Sequence, residues 1–176
     1  MSRKRFDQME CGIAQALEQV GDWWTLLIVR DCFLGTRRFA DFERNLGIAK
    51  NILTARLERL VEDDILEKRL REGSERRFEY HLTQKGQDLW LVLTALRLWS
   101  DKWVFGRGNE PVLVEDSETG QIVRGLRVVD DDGETLDAAR LRWIRPPHAP
   151  NDGDDRNEDT DEGGTTRDQA SRTTVQ

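Results

Sequence analysis

The chain has no apolar run long enough to cross a bilayer, so no part of it reads as a membrane span. It has only 2 cysteines in 176 residues, too few for a disulfide framework and wrongly spaced for a zinc site. Histidine is as scarce, with His81 on an expected strand and His148 in a polar stretch. No serine, cysteine or carboxylate pair stands beside either one in a catalytic arrangement, and no glycine-rich phosphate loop occurs. The N-terminal "MSRKRFDQMECG" has charge but no hydrophobic segment behind it, so it does not read as a secretory signal. These shortages point away from an enzyme, a metal site, a bound cofactor and a membrane protein. A cytoplasmic chain is expected.

What the sequence does have is charge. Charged residues make up 35% against 37% hydrophobic, a balance that suggests an unstructured portion beside a folded domain. The net charge of -7 is unevenly placed. Residues 1–105 hold 18 Lys+Arg against 17 Asp+Glu, whereas residues 106–176 hold 9 against 17. The acidity therefore belongs to the C-terminal part, and the N-terminal part is free to gather basic residues on one face.

Apolar spacing then orders the elements. Ile13, Ala16, Leu17 and Val20 form an amphipathic stripe from Cys11 to Val20. Gly21 breaks it and Asp22 caps "WWTLLIVRDCFLG", which is apolar on nearly every side and should sit centrally. "RFADFERNL" reads as a short helix from Arg38 to Leu46, and Gly47 as a tight turn before a further helix. "ILEKRLREGSERRFEYHL" has two alternating halves around "EGSE", a hairpin pattern. Thr83 caps a long helix from about Gln84 to Val104. This order predicts an α+β fold, a winged helix-turn-helix over residues 1–109 with a long C-terminal helix for dimerisation. Residues 110–145, with turns at "SETG" and "DDDG", should form a small β appendage of three or four strands. From residue 146 to 176 the composition predicts a disordered acidic tail.

The segment "GIAKNILTARLERL" carries the functional signal. A surface helix favours acidic residues in its first turn, where they complement the dipole. Here the first turn is small, polar and cationic, as suits a helix entering a DNA groove by its N-terminal end. On a wheel, Leu53, Leu57, Leu60 and Val61 face the core. Asn51, Ala55, Glu58 and Glu62 lie opposite with Arg59 beside them, and Lys50, Thr54 and Arg56 flank the stripe. Asn reads adenine, Thr a thymine methyl or a phosphate, and Lys guanine or phosphate. Arg69, Arg71, Arg76 and Arg77 surround the hairpin tip, where a wing meets the phosphate backbone or minor groove. Arg37 and Arg38 stand ready for further phosphates. Any solvated helix face is polar, however, and a charged hairpin also serves to protect a sheet edge.

These motifs, in this order, resemble the HxlR-type family of bacterial winged helix-turn-helix transcriptional regulators. The resemblance is carried by Cys11, "GDWWTLLI" (Gly21 to Ile28), "GTRRF" (Gly35 to Phe39), "KNILTARL" (Lys50 to Leu57) and "EYHLTQKG" (Glu79 to Gly86). Two departures stand out: Ala49 and Lys50-Asn51 replace a common Ser-Pro pair, and Glu75-Arg76 replaces a Pro-Pro pair in the wing. The resemblance implies a homodimer on double-stranded operator DNA, mostly repressing nearby genes. Its dimer surface would include Trp90, Leu93, Leu96, Leu98, Trp99 and Trp103, although the same residues also suit packing within one subunit. Cys11 sits where several family members keep an oxidant- or electrophile-responsive thiol, and Arg3, Lys4 and Arg5 would assist it. An inert residue at a helix start is the simpler reading, and Cys32 reads as a core residue. A small aromatic effector between helices, near Trp24, Phe33 or Trp99, is a second route to regulation. The rival reading is a winged-helix module for protein interaction, because fold does not fix function.

Overall fold

The computed structural model describes residue 6, residues 8–74 and residues 76–144. Arg3, Lys4, Arg5, Glu75, His148 and the tail expected from residue 146 lie outside them. The chain divides into Met1–Leu141 and Arg142–Gln176, and every helix and strand of the described residues lies in the first unit.

Helix α1 (Gly12–Val20) buries only Ala14 and Val20, leaving Ile13 and Leu17 exposed. Asp22 accepts a hydrogen bond from the Trp24 N–H at 3.0 Å and so caps α2 (Trp23–Phe33). As expected, α2 is central: it packs on α3 (Phe39–Leu46), α4 (Lys50–Glu62) and the C-terminal helix α5 (Gln84–Ser100). Its first residue departs from that pattern, because Trp23 remains 87% exposed. Ile28, Val29, Cys32, Phe42, Leu53, Leu57, Leu60, Ile65 and Leu66 form the shared core. Each fully buried side chain of this size contributes about 1.5–3 kcal/mol.

Strands β1 (Leu66–Leu70) and β2 (Phe78–Leu82) pair antiparallel, with Leu66 opposite Leu82, Lys68 opposite Tyr80 and Leu70 opposite Phe78. The Tyr80 N–H also donates to the Arg37 carbonyl at 2.8 Å, tying the wing to the link between α2 and α3. Thr83 fixes the entry to α5. Its Oγ1 accepts from the Gly86 N–H at 3.1 Å and donates to the Asp64 carbonyl at 2.6 Å. Where one helix to Val104 was expected, α5 gives way at Asp101 to a π-helical turn (Asp101–Phe105) that ends at Gly106, with φ of 81°.

The appendage keeps its turns but lacks its strands. Asp116 Oδ1 accepts from the Glu118 and Thr119 N–H groups, and Asp130 Oδ1 from those of Asp132 and Glu134. Among the described residues, each turn closes only a single bridge, Glu115 to Ile122 and Val129 to Thr135. A short 3-10 turn (Ala138–Arg140) follows. The segment also meets the helices, because Arg97 of α5 donates to the Val123 carbonyl at 2.9 Å.

Candidate nucleic-acid interface

The helix-turn-helix step is set by one glycine. Gly47 adopts φ of 62° and ψ of 24°, and its N–H donates to the Glu43 carbonyl at 3.0 Å. That left-handed cap ends α3 and turns the chain into α4 without a steric penalty. Ala49 stands at the N-cap of α4 and offers no side-chain bond. The first backbone N–H groups of α4 therefore have no intrahelical partner, and the positive end of the helix dipole faces outward. Around it Lys50, Asn51, Thr54 and Ala55 are all exposed. Asn51 and Thr54 make no side-chain bond among the described residues, and Lys50 Nζ lies 3.9 Å from the Glu43 carboxylate. An exposed pair at that distance is worth well under about 1 kcal/mol, so Lys50 is readily released to another anion. The expected core stripe is present, with Leu53, Leu57 and Leu60 buried and Val61 half-buried.

At the wing tip Gly73 adopts φ of 72°. Ser74 then holds the return: its Oγ accepts from the Arg77 N–H at 3.0 Å and from the Arg76 N–H at 3.4 Å. The Arg71 N–H donates to the Arg77 carbonyl at 2.8 Å, closing the loop. The side chains of Arg71, Arg76 and Arg77 make no ion pair among the described residues. Together they line an open hollow at the tip. A fixed backbone carrying three uncommitted guanidinium groups suits phosphate oxygens.

Five of the expected contact residues are engaged inside the molecule. Arg37 donates to the carbonyls of Cys32 and Thr36, and Arg38 meets Glu79 of β2 at 3.2 Å. Arg56 reaches Asp22 at 2.8 Å, linking α4 to the cap of α2. Arg59 pairs with Asp63 at 2.9 Å and with Glu62 at 3.6 Å, and Arg69 pairs with Glu67. Two residues of these elements escaped the sequence reading. Ile52 is exposed on the first turn of α4, where an apolar group can meet a thymine methyl; it adjoins Asn51, so the wheel could have shown it. Ser74 was read only as a turn residue, although a hydroxyl just ahead of two arginines signals a local backbone staple.

Of the residues expected at the dimer surface, Trp90, Leu96, Trp99 and Trp103 are exposed. Leu93 packs partly against the core, and Leu98 is half-buried. Cys11 is exposed and Cys32 buried, both as free thiols. Burial pushes the Cys32 thiol up to about 12, with the Arg37 charge only partly opposing it. No cluster of metal-binding side chains occurs among the described residues, and none of their helices is long and apolar enough to cross a membrane.

Comparison with known proteins places this geometry. The model of the HxlR-like helix-turn-helix family matches residues 19–107. Rv3095, an uncharacterised HTH-type transcriptional regulator of Mycobacterium tuberculosis, is 34% identical over 138 residues, covering 78% of this chain and 85% of its own length. The crystal structure of PA1607, a candidate transcription factor, superimposes with a TM-score of 0.73 at 39% identity, over 81% of this chain and 100% of that one. PA1374 of Pseudomonas aeruginosa, also a candidate transcription factor, gives a TM-score of 0.56 at 36% identity, over 80% of this chain and 95% of that one. A match of 138 residues is too long to end at residue 107, so the likeness to Rv3095 continues into the appendage. The chain belongs to the HxlR-like helix-turn-helix family of transcriptional regulators.

Proposed function

We propose that the protein is a homodimeric repressor that binds an operator of two half-sites, inserting the first turn of α4 into the major groove. Lys50, Asn51, Ile52 and Thr54 read base edges there, and Arg71, Arg76 and Arg77 hold the backbone or minor groove beside it. The observation that carries this reading is the exposed, uncapped and cationic start of α4, whose glutamates lie in later turns. Two such helices in a symmetric dimer would sit about 34 Å apart, one turn of DNA. The exposed apolar face of α5 and of the turn after it supplies the surface that pairing needs. Of the 2 cysteines only Cys11 is open to an oxidant, so a thiol response of operator binding would run through it and vanish in Cys11→Ser.

Selection of bound genomic fragments by the purified protein, followed by titration at several salt concentrations, tests this. Affinity should fall linearly on a log-log plot as salt rises. Replacing Arg76 and Arg77 together by alanine should weaken all sequences and flatten that slope. Asn51→Ala should change the preferred base at one position, at a cost of about 1–3 kcal/mol. Recovery of no shared sequence, or an affinity that ignores salt, would favour a protein-interaction module instead.

A further inference from the structure

The wing tip carries a hydroxyl among its arginines. Between the two strands the chain reads "REGSERR" from Arg71 to Arg77. Ser74 follows the turn made by Gly73, and it lines the same open hollow as Arg71, Arg76 and Arg77. Its Oγ accepts from the Arg77 N–H at 3.0 Å and from the Arg76 N–H at 3.4 Å. Two backbone donors are therefore already aimed at that oxygen and at whatever group it carries.

An arginine three positions ahead of a hydroxyl, in an open turn, is a charge pattern by which protein kinases select substrates. In this chain it precedes only two of the serines and threonines, Ser74 (from Arg71) and Ser100 (from Arg97). Ser100 is the last residue of helix α5, whereas Ser74 lies outside every helix and strand. Charge decides what modification there would do. The tip sets three arginines against Glu72 and Glu75, a net of +1. A phosphoserine adds about −1.5 to −2 at pH 7, which turns the tip from positive to negative.

We propose that Ser74 is a phosphorylation site whose phosphate is held by the wing's own arginines, withdrawing them from DNA. An arginine-directed Ser/Thr kinase would move the γ-phosphoryl group of a nucleoside triphosphate onto Oγ. The new P–O bond replaces the one to the β-phosphate oxygen, the hydroxyl proton passes to the kinase's base, and the nucleoside diphosphate departs. The Arg76 and Arg77 N–H groups and the guanidinium groups of Arg71, Arg76 and Arg77 then donate to the phosphate oxygens, as charge-assisted bonds. Release from DNA rests on the proposed DNA-binding function; acceptance and capture of the phosphate do not.

The test starts from the full chain, magnesium ATP and a purified kinase that selects arginine at that position. Peptide mapping should place the phosphate on Ser74, and Ser74→Ala should remove that label. Phosphorus NMR without DNA follows next, on protein with phosphoserine genetically encoded at position 74. Its phosphate should titrate below the usual value of about 6, and return there when Arg71, Arg76 and Arg77 are all changed to glutamine. Operator affinity of the phosphorylated chain should fall about a hundredfold, with a salt slope shallower by about two. No label on Ser74, a titration indifferent to the arginines, or an unchanged operator affinity would each overturn the proposal. Should the unmodified chain bind no operator, the DNA-binding reading fails, and the labelling and the NMR titration still decide acceptance and capture.

Discussion

At the scale of single residues, Gly86 shows how packing can reverse an intrinsic preference. Alanine in place of a helical glycine ordinarily adds up to about 1 kcal/mol. Here a Cβ would overlap the Ile65 carbonyl oxygen and stand 2.9 Å from Leu82 Cδ2. Neither the backbone of that turn nor the strand can retreat without losing the Thr83 cap. Gly86→Ala should therefore destabilise by roughly 3 kcal/mol, lowering the melting temperature by about 10 °C in a thermal scan. The two thiols make a second contrast. Iodoacetamide at pH 8 should modify exposed Cys11 and spare buried Cys32 until the chain unfolds. The Cys32 thiol ordinarily ionises near 9.0 and does so at about 12 when folded. Its contribution is thus fully kept below pH 9, and stability falls as pH rises through that window, by at most about 1.4 kcal/mol per pH unit. Urea titrations at pH 8, 9.5 and 10.5 should show a shallower loss for Cys32→Ala than for the wild type; parallel losses would refute the assignment.

At the scale of elements, the arginines separate into two groups that composition cannot distinguish. Arg76 and Arg77 stand uncommitted at the wing tip, whereas Arg56 braces α4 against the α2 cap through Asp22. Arg56→Met should therefore lower stability by about 1 kcal/mol and weaken operator binding without changing its salt slope. Arg76→Ala should leave the melting temperature alone and reduce that slope by about one. An equal change of slope in the two variants would return Arg56 to the DNA face. The difference also marks the reach of the sequence. The caps at Asp22 and Thr83, the turn at Gly47 and the leucine stripe of α4 were readable because each depends on residues within a few positions. So, in principle, were the Arg59 pairs with Glu62 and Asp63, which follow helical spacing. The Arg56–Asp22 and Arg38–Glu79 pairs were not, since tertiary folding alone brings those residues together. In the appendage the turns at Asp116 and Asp130 were legible because each closes on residues within a few positions, whereas how far the flanking residues pair is not set by the turn itself. The burial of Thr94 on α5, only 3% exposed, was hidden because a hydroxyl among leucines looks no different whether it is buried or solvated.

At the scale of the whole molecule, a single protomer leaves its most costly surface uncovered. Trp99 is 61% and Trp103 66% exposed, and Leu91, Val92, Leu96, Val104 and Phe105 extend the same apolar stretch along α5 and its final turn. Ile13 and Leu17 of α1 add further uncovered apolar area. Isolated exposed leucines are ordinary on any surface, but a run of tryptophans and aliphatics on one helix exceeds what a monomer usually shows. A second copy is the occupant we expect, because two half-sites need two α4 helices and a symmetric pair supplies them. Leu96→Glu combined with Trp99→Glu places two carboxylates on that surface and leaves the core untouched. The variant should sediment as a monomer while keeping the wild-type helical circular dichroism. Each monomer would then bind one half-site without its linked partner, so operator affinity should drop by roughly 10²–10⁴-fold. Binding to an isolated half-site at high protein concentration should survive, because α4 and the wing are unaltered. A variant that stays dimeric, or a monomer that holds the full operator as tightly as the wild type, would mean that this face pairs with something other than its own copy.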